Sequence, residues 1–239
     1  MILPNAYSMD TIPQNFIHET ISIQGIIGCG KSTFINILRS KEDKLKKIFG
    51  KPVIFVDEPV NEWNNPIYDN NTKSALDVFY YDIFKHGFTF QILAFTTRLE
   101  YLYKETSKIT ESSICIQDRS MLSDKKIFFA NLKDHITQLE WDTYNRFYDL
   151  VCKDFNKTEK RMIYIESTPE ECIERIKSRD AKGDSKIELP YLQSHDVLHK
   201  KMIEDFIKEG GIVYRFNWPF LKDKTQLDKY VDDFLDTIK

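Results

Sequence analysis

Residues 25–32, Gly-Ile-Ile-Gly-Cys-Gly-Lys-Ser, have the composition of a phosphate-binding loop and directly follow the apolar, strand-like run 21–24. The glycines allow consecutive backbone N–H groups to surround phosphate oxygens. Lys31 is spaced to reach the β- and γ-phosphates, the Ser32 hydroxyl suits Mg²⁺, and a helix continuing from Thr33 would direct its N-terminus at the anion. The alternative is a chance glycine-rich turn before a helix. We expect a nucleoside triphosphate site formed by Gly25, Gly28, Cys29, Gly30, Lys31, Ser32 and Thr33.

Charged side chains follow two further strand-like runs. Glu58 comes after Val53–Val56, and Asp118 and Arg119 come after 113–117. Ligands of open parallel α/β sheets bind beyond the carboxyl ends of the strands, so these side chains should meet at one sheet edge. We expect Glu58 to act as a general base, Asp118 to hold Mg²⁺, and Arg119 to neutralise the transferred phosphate. The alternatives are a surface charge at Glu58 and a plain buried ion pair between Asp118 and Arg119.

A basic segment lies later in the chain. Arg175 and Arg179 are four residues apart on a predicted helix that opens at Pro169, and lysines and Gly183 follow. Arginines on one helical face can close over a triphosphate and balance its charge during transfer, which predicts a lid. The alternative is a solvated basic face.

Length and composition restrict the possible classes of protein. The 239 residues suit one α/β domain, and we expect residues 1–19 to form a flexible polar leader before a single domain over 20–239. The net charge of -3, with dispersed basic residues, argues against a nucleic-acid surface and favours small-molecule partners. The four cysteines form no CxxC pair, and no apolar run approaches the ~18 residues of a membrane helix. We expect a cytoplasmic protein without disulfides, zinc or membrane contact.

Strand-like runs alternate with long helical patterns along the chain, which predicts a parallel sheet covered by helices on both faces. The predicted strands are 21–24, Val53–Val56, 113–117, 162–165 and 211–216. The predicted helices are 90–108, 136–155, 169–178, Leu189–Lys208 and 223–238. The expected fold class is α/β with a five-stranded parallel sheet.

Taken together, these segments resemble the deoxynucleoside kinase family, and within it the deoxycytidine, deoxyguanosine and deoxyadenosine kinase branch. The resemblance spans about residues 20–222 and is carried by the loop 25–32, Glu58-Pro59-Val60 with Trp63, 88–91, Asp118-Arg119-Ser120 with Ser123-Asp124, Ile127-Phe128 and the segment 175–191. It implies a P-loop kinase fold with a basic lid, and a homodimer. It also implies nucleotide salvage by transfer of phosphate from ATP, or another nucleoside triphosphate, to the 5′-hydroxyl of a deoxynucleoside with Mg²⁺.

The resemblance also implies roles for individual residues. Glu58 would accept the proton of the 5′-hydroxyl or hold that hydroxyl, Arg119 would bridge the base and the phosphoryl group, and Asp118 would join Ser32 at the metal. The proton acceptor stays open between Glu58 and Asp118. The substrate contacts would be Gln91 at the nucleobase edge, Tyr80 and Asp184 at the sugar 3′-hydroxyl, and Trp63 and Phe128 against the base. The alternative for the aromatic residues is a plain core position.

Substrate choice follows from three further positions. Ala94, Arg98 and Asp124 match positions where the cytosine- and purine-accepting branch carries a small residue, an arginine and an aspartate. The charge of Arg98 should keep Asp124 ionised, so that the carboxylate only accepts hydrogen bonds. Cytosine and adenine present an amino donor there, whereas thymine presents the acceptor O4 and a methyl group. We therefore expect deoxycytidine or a purine deoxynucleoside to be preferred over thymidine.

The chain departs from the family pattern at three positions. Asp118 and Asp184 stand where the family usually has glutamate, and Ala181 stands where its lid commonly carries a third arginine.

Two other functions use a similar phosphate-binding loop. A nucleoside monophosphate kinase of the thymidylate kinase type would need an extra basic cluster, which 87–91 lacks. A nucleotide-dependent switch would carry an Asn-Lys-x-Asp sequence, and residues 156–159 read Asn-Lys-Thr-Glu instead.

Overall fold

The structure is a computed structural model that describes residues 17–65, 70–153, 155–179, 187–217 and 224–238. Two of the expected site residues are affected by these bounds. Asp184 lies outside the described residues, and so does the side chain of Arg179. Residues 1–16 of the expected leader and residues 180–186 of the expected lid lie outside them as well.

Five parallel strands form one sheet, as predicted. They are β1 (Ile17–Gln24), β2 (Val53–Val56), β3 (Ser113–Asp118), β4 (Glu159–Glu166) and β5 (Ile212–Asn217), in the spatial order β2-β3-β1-β4-β5. In the pairing of β3 with its neighbours, Ile23 lies beside Asp118 and Val56 lies beside Gln117. The ends of β1, β2 and β3 are therefore level, and the segments that follow them open at the same edge of the sheet.

β1 begins at Ile17, four residues before the predicted strand, so residues 17–19 of the expected leader belong to the sheet. His18 is exposed and Glu19 is charged, and both interrupt the apolar pattern that predicts a strand. Glu19 is nevertheless buried, because Arg161 on β4 pairs with it at 3.1 Å. An ion pair between neighbouring strands thus accounts for the part of β1 that hydrophobicity does not predict.

Helices connect the strands and cover the sheet. They are α1 (Lys31–Ser40), α2 (Glu42–Phe49), α3 (Val60–Asn64), α4 (Ala75–Tyr81), α5 (Ile83–Thr106), α6 (Met121–Ser123), α7 (Gln138–Cys152), α8 (Phe155–Thr158), α9 (Pro169–Arg179), α10 (Leu189–Lys208) and α11 (Lys224–Leu235). A π-helical turn at Asp124–Phe129 and a 3-10 helix at Ala130–His135 follow α6. The long helix predicted over 90–108 starts earlier, at Ile83, because the Asp82 side chain caps it by accepting from the N–H of Lys85.

The two faces of β1 carry different side chains. Ile21 and Ile23 point into the largest apolar cluster, which α1 and α11 cover. Alternate residues of a strand face opposite sides, so Thr20, Ser22 and Gln24 lie on the other face, and all three are buried. Helices α5 and α7 contribute a separate apolar cluster on that side. A row of buried polar side chains therefore runs along the second face of the central strand.

Candidate active site

The phosphate-binding loop has the backbone that its glycines predicted. Gly28 and Gly30 have φ values of 86° and 103°, in the left-handed region that favours glycine. A Cβ atom on Gly28 would lie 2.7 Å from the carbonyl oxygen of Cys172, which leaves no room for a side chain. Helix α1 begins immediately after this turn, and its N-terminal N–H groups face the loop.

Side chains beside the loop hold its shape. Lys31 Nζ donates to the carbonyl oxygen of Gly25 at 3.4 Å. Arg175 on α9 donates from Nη1 to the carbonyl oxygen of Cys29 at 3.2 Å and to Ser167 Oγ at 2.9 Å. The first arginine of the expected lid therefore contacts the backbone of the phosphate loop. The side chain of Cys29 is fully buried, so this position contributes its backbone rather than its thiol.

The charged groups after β2 and β3 converge on one point. The Glu58 carboxylate accepts from Arg98 Nη2 at 2.9 Å and lies 3.4 Å from Arg119 Nε. Arg119 continues the pairing of β3 by donating its backbone N–H to the carbonyl oxygen of Ile23 at 3.0 Å. Its φ of 65° is left-handed, and that conformation turns the chain at the strand end. The predicted meeting of Glu58 with Asp118-Arg119 at one sheet edge is therefore observed.

Arg98 on α5 binds Asp124 and Glu58 on the side that faces away from the cavity. Its guanidinium donates from Nε to Asp124 Oδ2 at 2.7 Å, from Nη1 to the carbonyl oxygen of Asp118 at 2.8 Å, and from Nη2 to Glu58. Arg98 is 3% exposed, and it is absent from the wall of the cavity that the carboxylates line. The structure thus places Arg98 behind Asp124 and Glu58, and its role in substrate binding stays a prediction.

The site charges separate the proton affinities of neighbouring carboxylates. Burial alone would raise the pKa of Glu58, but the charges of Arg119, Arg98 and Lys31 outweigh it and hold that pKa below its usual value. Burial and the negative charge of Glu58 raise the pKa of Asp118 to about 6. Of these two neighbouring carboxylates, Glu58 therefore has the lower pKa and Asp118 the higher.

Asp124 lies in the first turn after α6, at the start of the π-helical turn. Burial raises its pKa, and the charge and hydrogen bond of Arg98 oppose that effect. The pKa of Arg98 is in turn raised, because the carboxylates of Asp124 and Glu58 outweigh the effect of its burial. The close contact with a guanidinium that stays protonated favours the ionised, hydrogen-bond-accepting form of Asp124.

One cavity of about 200 Å³ brings most of the predicted residues together. It extends from the phosphate loop across the carboxylates to an aromatic wall. Its lining includes Gly28, Lys31, Ser32, Glu58, Trp63, Tyr80, Gln91, Ala94, Asp118, Arg119, Asp124 and Phe128. The other described candidates lie around the cavity and are not part of its wall. They are Gly25, Cys29, Gly30, Thr33, Arg98 and Arg175.

The aromatic wall contains residues that were not among the predicted contacts, although Phe90 and Tyr191 lie in segments that carry the family resemblance. Phe79 and Phe90 stack with their ring centroids 4.6 Å apart, and Trp63 lies edge-on to Phe90. Tyr191 at the start of α10 also lines the cavity, edge-on to Tyr80. In the sequence these rings are indistinguishable from core residues, although Phe79 and Phe90 each adjoin a predicted contact residue. No signal in the sequence distinguished Tyr191.

The remaining predicted contacts are held by their own neighbours. The Trp63 indole N–H donates to Thr97 Oγ1 at 2.9 Å, which fixes the ring against the cavity. The guanidinium of Arg119 lies 4.7 Å from the centre of the Phe128 ring, within the range of a cation–π contact. Gln91 is 3% exposed in the cavity wall.

Oxygen donors for a metal ion lie beside the phosphate loop. Ser32 and Asp118 line the cavity together, and Asp118 Oδ1 is buried without a hydrogen-bond partner in the described part of the chain. The described residues contain no group of three or more metal-ligating side chains. This arrangement fits Mg²⁺, which proteins commonly hold with one or two side chains together with phosphate oxygens and water.

Comparison with known proteins decides between the kinase classes. The sequence profile of the family described as "Deoxynucleoside kinase" matches residues 21–238. The chain belongs to the deoxynucleoside kinase family. The predicted family, α/β fold and enzyme class are confirmed. Membership in this family favours neither of the two alternatives, a thymidylate kinase-type enzyme and a nucleotide-dependent switch protein. This deoxynucleoside kinase thus phosphorylates a nucleoside in salvage.

Curated relatives agree with the family. A probable deoxycytidine kinase of Fowlpox virus is 31% identical to this kinase over 90% of the chain and 82% of the relative. The deoxycytidine kinase of Homo sapiens is 29% identical over 92% of both chains. The mitochondrial deoxyguanosine kinase of Xenopus laevis is 27% identical over 85% of this chain and 80% of its own. Within the described residues of this kinase, no helix has the length and apolar character needed to cross a membrane.

Proposed function

We propose that this kinase transfers the γ-phosphoryl group of ATP to the 5′-hydroxyl of deoxycytidine or of a purine deoxynucleoside, and that thymidine is a poorer substrate. The observation that carries the proposal is the Asp124 carboxylate, which lines the cavity while Arg98 holds it at 2.7 Å. The names of the relatives support it, since they include deoxycytidine kinases and a deoxyguanosine kinase.

Asp124 selects the base through hydrogen-bond complementarity. As a carboxylate it accepts from the N4 amino group of cytosine or the N6 amino group of adenine, and Gln91 offers an amide donor and acceptor nearby. Thymine would place its O4 acceptor against the carboxylate, and that buried pair of acceptors would stay unsatisfied. Ala94 leaves space for the base at the same wall, and Trp63 and Phe128 pack against its faces.

Glu58 is the proposed proton acceptor. Its low pKa keeps it ionised at neutral pH, and it lies in the cavity between the aromatic wall and the phosphate loop. Asp118 is the weaker candidate for this role, because it is the proposed ligand of Mg²⁺ beside Ser32. Tyr80, which lines the same cavity, is the proposed contact of the sugar 3′-hydroxyl, together with Asp184 of the lid.

The phosphate groups are held by cations around the loop. Lys31 and the backbone N–H groups of residues 25–32 would bind the β- and γ-phosphates. Arg119 faces the cavity beside Glu58 and would balance the charge of the transferred group, and Arg175 with Arg179 would complete the donor site from α9. Mg²⁺, held by Ser32 and Asp118, would neutralise charge on the β- and γ-phosphates.

A homodimer and a cytosolic location complete the proposal. Leu139 and Leu150 on α7 are 76% and 80% exposed, and their spacing of eleven residues puts them on one side of the helix. Two exposed leucines on one side of a helix support a contact with a second copy. The four cysteines are buried and free, which supports a reducing compartment.

A panel of acceptors tests the proposed function. Release of ADP would be measured with ATP, Mg²⁺ and each of deoxycytidine, deoxyadenosine, deoxyguanosine and thymidine. We expect kcat/KM for at least one of the first three to exceed that for thymidine by about tenfold or more, since a buried polar mismatch costs at least this much. Equal or better turnover of thymidine would refute the proposed selectivity.

A further inference from the structure

Buried polar side chains connect the end of β1 with the turn that carries Arg119. Gln24, the residue before the phosphate loop, donates from Nε2 to Ser120 Oγ at 3.3 Å. The Ser120 hydroxyl donates to Glu159 Oε1 at 3.0 Å. Gln24 and Ser120 are 0% and 3% exposed. We call these three hydrogen-bonded residues the Gln24–Ser120–Glu159 network.

Ser120, the middle residue of this network, directly follows Arg119, whose backbone is constrained. Arg119 has a left-handed φ of 65°, which a residue with a side chain adopts only when its surroundings hold it there. On one side its N–H is fixed by the carbonyl oxygen of Ile23. On the other side, Ser120 is held by the hydrogen bonds of its hydroxyl with Gln24 and Glu159. Its backbone N–H also donates to Ser123 Oγ at 3.1 Å. The turn is thus held from both ends.

Glu159 has no place in the cavity itself. It is the first residue of β4, at the end of the sheet away from the phosphate loop, and it does not line the cavity. Burial raises the pKa of Glu159, and the hydroxyl groups of Ser22 and Ser120 beside it oppose that effect. A half-buried carboxyl group loses part of its hydration, so the hydrogen bond from Ser120 compensates a cost.

We propose that Glu159 is a positioning residue for phosphoryl transfer, which acts through Ser120 to hold Arg119 with its guanidinium directed into the cavity. The inference rests on the role proposed above for Arg119. It predicts that loss of either hydrogen-bonding partner lets the Arg119 turn relax, while the walls that bind the nucleoside stay in place.

Steady-state kinetics with deoxycytidine and ATP test whether Glu159 acts on Arg119 through Ser120. We expect Ser120→Ala and Glu159→Ala each to lower kcat about 10- to 100-fold, because a displacement of about 1 Å in a charged group can cost this much. The KM for the nucleoside should change by less than about threefold. Glu159→Gln keeps an acceptor for the Ser120 hydroxyl and should keep kcat within about threefold of wild type.

A double variant and a matched control separate positioning from stability. If Glu159 acts through Ser120, the double variant should be no slower than the slower single variant, within about twofold. The matched control is Glu19→Ala, which removes the carboxylate on β1 that pairs with Arg161 on β4. This variant should lower stability without lowering kcat. The inference is overturned if Glu19→Ala is as slow as Glu159→Ala, or if the effects of Ser120→Ala and Glu159→Ala multiply.

Hydrogen exchange gives a readout that does not depend on activity. The Arg119 amide should exchange at least about tenfold faster in Ser120→Ala than in Glu19→Ala, because the turn opens more readily. Unchanged protection would refute the link, whatever the kinetics. Arg119→Lys tests the other premise: full kcat in that variant would refute the proposed role of Arg119 and leave the exchange result as the test of the link.

Discussion

Replacing Asp124 by asparagine tests the proposed reading of the nucleobase. The variant keeps the size of the side chain but loses its charge and gains an amide donor. Arg98 would keep its bonds to Glu58 and to the carbonyl oxygen of Asp118, so its guanidinium should stay in place. The wall of the cavity is then changed in hydrogen-bonding character and little in shape.

The expected effect is a loss of selectivity. A hydrogen bond to a charged group contributes about 1.5–3 kcal/mol, so the loss of the carboxylate should lower kcat/KM for deoxycytidine about 10- to 100-fold. Thymidine should lose less activity than deoxycytidine, because an asparagine amide can donate to its O4. The ratio of kcat/KM for deoxycytidine to that for thymidine should therefore fall by at least about tenfold.

The assay is ADP release with both nucleosides, for wild type, Asp124→Asn and the control Asp149→Asn. Asp149 is an exposed aspartate that pairs with Lys125 at 2.7 Å, so the control makes the same chemical change away from the cavity. The control should leave the ratio unchanged. A ratio within about twofold of wild type in a folded Asp124→Asn variant would show that Asp124 does not read the base.

Three further changes have defined outcomes. Glu58→Gln should lower kcat about 10²- to 10⁴-fold with little change in the KM for the nucleoside, and a smaller loss would contradict its role as proton acceptor. Gly28→Ala should weaken ATP binding measured by titration and lower the melting temperature, because a Cβ would lie 2.7 Å from the Cys172 carbonyl oxygen at a φ of 86°; wild-type affinity would contradict the expected clash. His195 is fully buried, and burial with the charges of Arg119 and Lys31 lowers its pKa to about 3. The unfolded chain therefore binds more protons below pH 6.5, and between pH 7.5 and 5.5 this histidine should reduce the free energy of unfolding by about 1.4 kcal/mol. Urea unfolding of wild type and His195→Gln at both pH values checks this, and an identical pH dependence of the two would contradict it.

The elements that carry the site were predictable because their signals are local in the chain. The loop 25–32 combines glycines, a lysine and a serine at fixed spacing, and Glu58 and Asp118 each come directly after an apolar strand. Parallel strands end at one edge, so the meeting of these residues follows from the class of sheet. The same reasoning predicted Leu189–Lys208 with its observed bounds.

The features that were missed depend on contacts between distant parts of the chain. The first residues of β1 include a charged residue that is buried only because Arg161 pairs with it from β4. The pairing of Arg98 with Asp124 was predicted, but its position behind the cavity also depends on Glu58 after β2 and on the carbonyl oxygen of Asp118 in β3. Tyr191 reaches the cavity from the start of α10, after a basic segment that predicts only a lid. None of these contacts leaves a spacing pattern in the sequence.

The guanidinium of Arg98 contacts both the residue proposed to select the nucleobase and the residue proposed to accept the proton. Arg98 donates to Asp124, the proposed contact of the nucleobase, to Glu58, the proposed proton acceptor, and to the carbonyl oxygen of Asp118. Its positive charge is shared between Asp124 and Glu58, so neutralising Asp124 leaves more of that charge to stabilise ionised Glu58. We therefore expect Asp124→Asn to lower the pKa of Glu58 further and make it a weaker base, even with a nucleoside that binds well. If both roles hold, the buried arginine couples nucleobase recognition to proton transfer, and we expect a change at Asp124 to alter both.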